Sequence, residues 1–544
     1  MAARGSKGST ALSLADLDRL VAAAEQLAGT WAARARASTT LGQERAMLRL
    51  FGVTGLDRAG RPLAGAAVDR WAATAEDGIG GGIALSFAMA LLEYDLEPQQ
   101  LAMDVASGAV DLALEAELLR EPDRRSVAEA EARRLAGRAF ERIDADRVAR
   151  LELIDLLGEA RRPWLGTTMA APELGGALDE AVELATIGFD VLRVEVPIGR
   201  EFAARLHDAG LEAPEWRPPE GLGDAFDDGE NAPAGSQRAL ARLRRVADGV
   251  AAERRSYVRV ATAVPPLGVP EGAVVAAFER VDLVEADPMA EIVVGGVAPD
   301  RALADHAFAR RLHRRADTYV SIGPGPLVVA PDLASGIPAD AATRAGRALA
   351  LQLLGVALAR EDGIPADRIV VGAYPGWLAD ESSAASRIMA EVSLRRQVFP
   401  GQVMRFDEPS RDAAESASAA AWPYVVAAAI GRLGDGALIM RRPRADARRS
   451  EAEGRAAATV AREVAASIGD GDAALQGVAL EHARGVVAGA LTTLAGLADD
   501  GWRAVLGDPP AGPLPRADRW GRRAIGGDAV ADRTEAFDPL DEQR

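Results

Sequence analysis

Between Ser13 and about Ala160 apolar residues recur at every third or fourth position, as in Leu14, Leu17, Leu20 and Val21 and again in Leu41, Met47, Leu48 and Leu50. This is the repeat of a helix face turned to a core, so the segment is predicted to be all helical. A glycine-rich stretch, Gly78-Ile79-Gly80-Gly81-Gly82, precedes an apolar helix running to Leu92, and Glu97-Pro98-Gln99-Gln100 begins another. The glycines resemble a phosphate-cradling loop, but they lack a preceding strand and the Lys-Ser/Thr of a P-loop, so they are read as a helix start. After Arg161 the pattern changes to short β-branched runs, each followed by a helical stretch. Eight such runs occur: Pro163 to Met169, Asp190 to Pro197, Val258 to Val264, Val281 to Pro288, Thr318 to Gly323, Arg368 to Pro375, Val403 to Glu408 and Ala437 to Arg442. Eight strand-and-helix units suit a closed parallel (β/α)8 TIM barrel, an α/β fold, better than an open doubly wound sheet. The expected division is a helical accessory domain at 1–160, the barrel at 161–445, and C-terminal helices with an irregular surface tail at 446–544.

Composition narrows the chemistry. With 63 basic and 81 acidic side chains the formal charge is −18, which argues against a nucleic-acid or anionic-membrane surface. Cysteine is absent, which removes disulfides, thiolate nucleophiles and cysteine-ligated metals. The four histidines, His207, His306, His313 and His482, have no metal-ligand spacing. Lysine occurs only at Lys7, so a Schiff base inside the fold would need a lysine from another chain. Residues 1–14 lack the apolar stretch of a signal peptide, and the longest apolar runs are too short to span a bilayer, so a cytoplasmic protein is expected.

Barrel enzymes place their chemistry at the C-terminal ends of the strands, so the polar residues ending each run are the candidates. These are Thr167 and Thr168, Glu195, Thr262, Glu285 and Asp287, Ser321, Tyr374, Asp407 and Glu408, and Arg441 and Arg442. Glu195 and Glu285 stand out because each interrupts an apolar run, where an unpaired polar group costs about 1 to 3 kcal/mol. Arg193 beside Glu195 leaves open a structural ion pair. Facing carboxylates could act in acid–base chemistry or bind an amine, and with the last-strand arginines they could hold an amino-acid zwitterion.

Several segments of the chain carry a family resemblance. Ser38-Thr39-Thr40 with Glu44 to Asp57, Pro62-Leu63 and Val68-Asp69, then Pro98-Gln99-Gln100 and Ser107 to Leu112, resemble the N-terminal part of the D-lysine 5,6-aminomutase α subunit. Ala181 to Val191, Phe399 to Pro409 and Gly526 to Pro539 are similar to later segments of that subunit in the same order, so the chain resembles it as a distant homologue across most of its length. The resemblance implies an isomerase that moves an amino group to the adjacent carbon, a partner β-like subunit carrying adenosylcobalamin in a DxHxxG domain together with the lysine for pyridoxal phosphate, and a homodimer through the helical head. At the family's pyridoxal phosphate positions this chain has Val196, Gly199-Arg200-Glu201, Pro265, Ala290, Gly323-Pro324-Gly325 and Ala373-Tyr374-Pro375, so use of that cofactor stays open. The implied substrate is an amino acid or carboxylic acid. Glu195, Glu285, Asp287 and Tyr374 are the expected catalytic residues, and Arg200, Thr262, Ser321, Asp407 and Arg441 the expected substrate contacts. The alternative is a non-catalytic relative acting as a binding subunit.

Overall fold

The computed structural model describes residues 14–58, 61–75, 78–160, 162–169, 175–195, 232–264, 267–293, 297–323, 341–373, 384–407, 437–441, 452, 478–506, 530–534 and 537–540. The N-terminal elements are α1 (Leu14–Arg36), β1 (Ser38–Thr40), α2 (Leu41–Leu50), α3 (Leu63–Thr74), α4 (Ala84–Tyr94), α5 (Pro98–Ser107), α6 (Leu112–Leu118) and α7 (Pro122–Leu157). The alternating part runs β2 (Trp164–Met169), α8 (Gly175–Ile187), β3 (Val191–Glu195), α9 (Ala232–Arg254), β4 (Arg259–Ala263), α10 (Val269–Phe278) and β5 (Leu283–Glu285). It continues with α11 (Pro288–Val293), α12 (Pro299–Ala316), β6 (Tyr319–Ile322), α13 (Ala341–Glu361), β7 (Ile369–Ala373), α14 (Ala384–Val398), β8 (Val403–Asp407) and β9 (Ala437–Arg441). The last elements are α15 (Val478–Asp500), α16 (Arg503–Leu506) and β10 (Val530–Asp532).

Strands β2 to β9 close into a parallel barrel in chain order, and β9 returns to β2 with Thr167 opposite Arg441. All eight β-branched runs are barrel strands. Their interior is plugged at the N-terminal end by Trp164 and Tyr319, whose rings meet edge to face at 5.6 Å. Arg259 lies flat on Trp164, 3.9 Å from the ring centre. Above this plug Gly166 is required by packing, because a Cβ there would collide with Met440 Sδ. The alternate residues Leu165, Leu192, Val260, Val284, Val320, Val371, Phe406 and Ile439 face outward into the helical layer. The buried stripe of α1 (Leu17, Leu20, Ala24, Ala28, Ala32) joins that layer.

The remaining N-terminal helices share a second core with α10 and α12, through Phe87, Leu101 and Phe140 on one side and Val274, Phe308 and Leu312 on the other. The seam is polar and buried. Thr40 caps α2 by accepting from Gln43 N at 3.1 Å while its hydroxyl donates to Asp305 at 2.5 Å, and Arg49 meets Glu271 at 2.8 Å. Glu44 accepts from Ile83 N at 2.7 Å and from the Thr39 hydroxyl. The first of the segments resembling the aminomutase subunit is thus the seam itself.

Two expectations are corrected here. The head is not all helical, since Ser38–Thr40 pairs antiparallel with Val530–Asp532. Three polar residues show no periodicity, and a partner on the far side of the whole barrel leaves no local trace. Nor does the tail simply lie over the surface: Arg533 donates to Ser38 O and to Gln43, 490 residues away, and Asp538 is buried against Arg311 at 2.7 Å.

Candidate active site

Strand alternation decides which strand-end residues reach the barrel lumen. On β3 the inward set includes Val191 and Arg193; on β5 it is Leu283 and Glu285; on β6, Tyr319 and Ser321; on β8, Val403, Arg405 and Asp407. The register sets these side by side, with Thr168 opposite Arg193 and Glu285 opposite Ser321.

The resulting layer is one ion-pair network. Arg193 forks onto Glu285 through Nε at 2.5 Å and Nη2 at 2.7 Å, and its Nη1 donates to Thr168 Oγ1 at 3.4 Å. Arg405 donates from Nη1 to the same Glu285 Oε1, reaches Ser321 Oγ at 3.5 Å, and grips Asp407 through Nε at 2.8 Å and Nη2 at 2.7 Å. Burial alone would raise the Glu285 pKa, but the two guanidiniums outweigh it and hold the carboxyl down at about 2. Burial likewise works against the Arg405 charge, and Asp407 and Glu285 overcome it. The layer is therefore fixed charge, unsuited to shuttling protons near neutrality and suited to orienting a charged ligand.

Of the sequence candidates, the structure brings Glu285, Ser321 and Asp407 together. Glu195 ends β3 opposite Ala263, and Arg441 ends β9, with both side chains outside the described residues. Arg200 and Tyr374 lie outside the described residues altogether. Thr262 departs from its expected role. It shares the outward parity of Val260, is buried toward the helices, and turns its hydroxyl to the carbonyl of Ala263 at 3.3 Å. Asp287 also departs from expectation. Its carboxylate accepts from Met289 N at 2.9 Å and Gly323 N at 3.2 Å, so it starts α11 and ties the end of β5 to that of β6. Burial raises its pKa, against these amides.

Sequence reasoning passed over Arg405 and gave Arg193 a different partner. Both sit two residues before a strand end with inward parity, a position that a search of terminal residues skips. It also passed over Gln352, which donates to the carbonyls of Gly323 at 2.6 Å and Gly372 at 2.7 Å and so locks the ends of β6 and β7. Behind it Arg395 reaches Gln352 Oε1 at 3.1 Å and pairs with Glu391, which His482 meets at 2.9 Å. The signal was present: Gln352 is a lone polar residue within an apolar helical run, Leu349 to Leu354. Among the described residues no group of three or more His, Asp or Glu is placed to hold a metal ion, and no helix is long and apolar enough to cross a membrane.

Residues 11–415 match the family model described as the D-lysine 5,6-aminomutase TIM-barrel domain of the alpha subunit. The chain is 24% identical over 374 residues to the lysine 5,6-aminomutase alpha subunit of Acetoanaerobium sticklandii, a match covering 69% of this chain and 66% of that one. It is 25% identical over 377 residues to the corresponding subunit of Fusobacterium nucleatum, covering 69% and 67%. The match thus spans about two thirds of these relatives. A dihydropteroate synthase structure from Anaplasma phagocytophilum overlaps 55% of this chain and 98% of its own, at 12% identity and a TM-score of 0.35, too slight a likeness to bear on the fold or the function.

Proposed function

The chain belongs to the family of the D-lysine 5,6-aminomutase alpha-subunit TIM-barrel domain, and from that premise we propose that it is the barrel subunit of an adenosylcobalamin-dependent amino-acid aminomutase or related radical isomerase. It works with a separate cobalamin-binding, β-like subunit in the cytoplasm. The observation that carries the proposal is the charge layer at the lumen, where Glu285 is ionised and held between Arg193 and Arg405. An amino acid is a zwitterion, and a rigid array of both signs inside a barrel orients both of its ends without reorganising. Arg193 and Arg405 face the carboxylate, and Glu285 and Asp407 the ammonium group; Arg200 and Glu195 are proposed as further contacts, whereas Arg441 falls on the outward register of β9 with Ala437 and Ile439 and is left out. Ser321 and Thr168 complete the floor, Asp287 positions two strand ends, and Tyr374 packs on the adenosyl or substrate surface. Thr262, turned to the helices, has no part in this arrangement.

Use of pyridoxal phosphate, which the family resemblance implies, stays open, because most of its family positions in this chain, among them Val196, Arg200, Pro265 and Tyr374, lie outside the described residues. At the described position Ala290 no ring stands where the family stacks a tyrosine, and the lysine the family resemblance implies belongs to the partner. No step is routed through it. Adenosylcobalamin, when bound, supplies the radical; this chain has no DxHxxG segment, so its proposed carrier is the partner. What this chain's own residues contribute is enclosure, orientation and exclusion of water. A homodimer through the helical head belongs to the same proposal and is supported by the exposed apolar residues Leu151 and Leu156 on α7.

The test is turnover by the purified two-subunit complex with adenosylcobalamin supplied, using Glu285→Gln, Glu195→Gln and Arg405→Ala. A loss of at least about tenfold in each is expected, since a charge-assisted contact is worth about 1.5 to 3 kcal/mol. Unchanged turnover in all three would refute the assignment. A second reading, a non-catalytic binding subunit, is favoured by the way each charge of the described network is already partnered within it; a cobalamin-loaded complex without isomerase activity would support that reading.

A further inference from the structure

A cavity of about 370 Å³ opens in the helical head, remote from the barrel lumen, where α3, α6 and the start of α7 surround the first turn of α4. One side of it is apolar, formed by Trp71, Leu85, Leu114 and Leu119, and the rest is polar. Its end is the glycine-rich stretch singled out in the sequence. Gly78–Gly81 forms a 3-10 turn, and a side chain added at Gly81 would meet nothing within 4 Å, so the backbone is bare toward the opening.

Helix α4 begins there without a cap. Its N-cap position is Ile83, which has no side chain able to accept, and Ile83 N is already taken by Glu44. The first amide with a helical acceptor is that of Phe87, on Ile83 O; among the described residues nothing accepts from Ala84, Leu85 or Ser86 N. The second observation is independent of the helix end. Ser86 is 4% exposed, lines the cavity, and its hydroxyl has no partner among the described residues. The hydroxyl is open to the cavity, where a ligand oxygen can accept from it. The rim carries Arg120 and Arg125, with Glu117 standing 3.9 Å from Arg120. Arg125 is held in place by Glu129 at 3.2 Å.

We infer that this cavity is a binding site for a small organic phosphate. The phosphate sits on the open amides of α4 and Ser86 Oγ, within reach of the rim arginines, and an apolar or planar body lies against Trp71, Leu85 and Leu114. Inorganic phosphate would use half of the site, and a neutral planar molecule the other half. The inference is independent of the function proposed for the barrel mouth.

Isothermal titration calorimetry of the full chain tests it with adenosine 5′-monophosphate, adenosine and inorganic phosphate as probes. The monophosphate is expected to bind one to one and at least about tenfold more tightly than either fragment. Gly81→Asp places a carboxylate beside the phosphate and is expected to weaken binding more than about tenfold, whereas the neutral Gly81→Asn changes it less than about threefold. Ser86→Ala is expected to weaken it about tenfold. Circular dichroism of each variant checks that the head is folded. Absence of monophosphate binding to the parent chain, or binding unchanged in both Gly81→Asp and Ser86→Ala, overturns the inference.

Discussion

Replacing Glu285 by glutamine removes the one charge that separates two inward guanidiniums. Although burial alone would raise the Glu285 pKa, the charges and hydrogen bonds of Arg405 and Arg193 bring it from 4.5 to about 2. At about 1.4 kcal/mol per pH unit this is worth about 3 kcal/mol, in line with the roughly 3 to 5 kcal/mol lost when one member of a buried pair is removed. The three side chains are 12%, 22% and 13% exposed at Arg193, Glu285 and Arg405, so solvent screens the network only partly. The folded pKa lies below the unfolded one, so the stabilisation is fully present above pH 4.5 and disappears as pH falls through about 2. Glu285→Gln is therefore expected to lose about 3 kcal/mol at pH 7 and nearly as much at pH 5. Urea midpoints at the two pH values, read beside hydrogen exchange of the β5 amides, measure this locally in a chain too large to unfold in one step. Adding Arg193→Met to Glu285→Gln removes the cation that forked onto Glu285 and is expected to restore about half of the loss. A loss under about 1 kcal/mol, or simple additivity in the double variant, would mean that the network is solvated and orients nothing.

Three further outcomes are expected. Gly166→Ala drives a methyl group into Met440 Sδ and lowers stability by about 1 to 3 kcal/mol, with partial rescue by Met440→Ala; equal melting temperatures for Gly166→Ala and the parent would contradict the packing. Thr167→Val should raise stability by about 1 kcal/mol, because the Thr167 hydroxyl is buried on the outer face of β2 without a partner. Glu291 lies 3.2 Å from His306 Nε2, and burial pushes its pKa up to about 8 while taking the imidazole down to about 3. The native carboxyl thus keeps a proton that the unfolded chain releases near 4.5, so its contribution falls as pH climbs from about 4.5 to 8, while His306 and His313, held neutral in the fold, add stability up to about pH 6.5; above that pH the Glu291 loss stands alone. Glu291→Gln should flatten that slope in melting curves taken at pH 7 and pH 8.5.

The sequence by itself determined the architecture. Eight β-branched runs alternating with helical repeats are barrel strands because parallel strands, covered on both faces, must be apolar almost throughout, and that requirement is written locally. A carboxylate interrupting such a run, as Glu285 does, could not be there without partners, so its importance was legible too. Its partners were not. Arg193 and Arg405 lie 92 and 120 residues from Glu285, and no periodicity within one strand records which side chain the closing of a barrel sets across from it. Asp287 and Thr262 illustrate the reverse case: both are polar strand-end residues, yet the local backbone takes the carboxylate of one and strand parity turns the other to the helices. The pairing of Ser38–Thr40 with Val530–Asp532 likewise belongs to tertiary structure alone, since three polar residues make a strand only when a distant segment supplies the hydrogen bonds. Burial on two faces is a property of each segment, whereas charge pairing and edge pairing are properties of the closed fold.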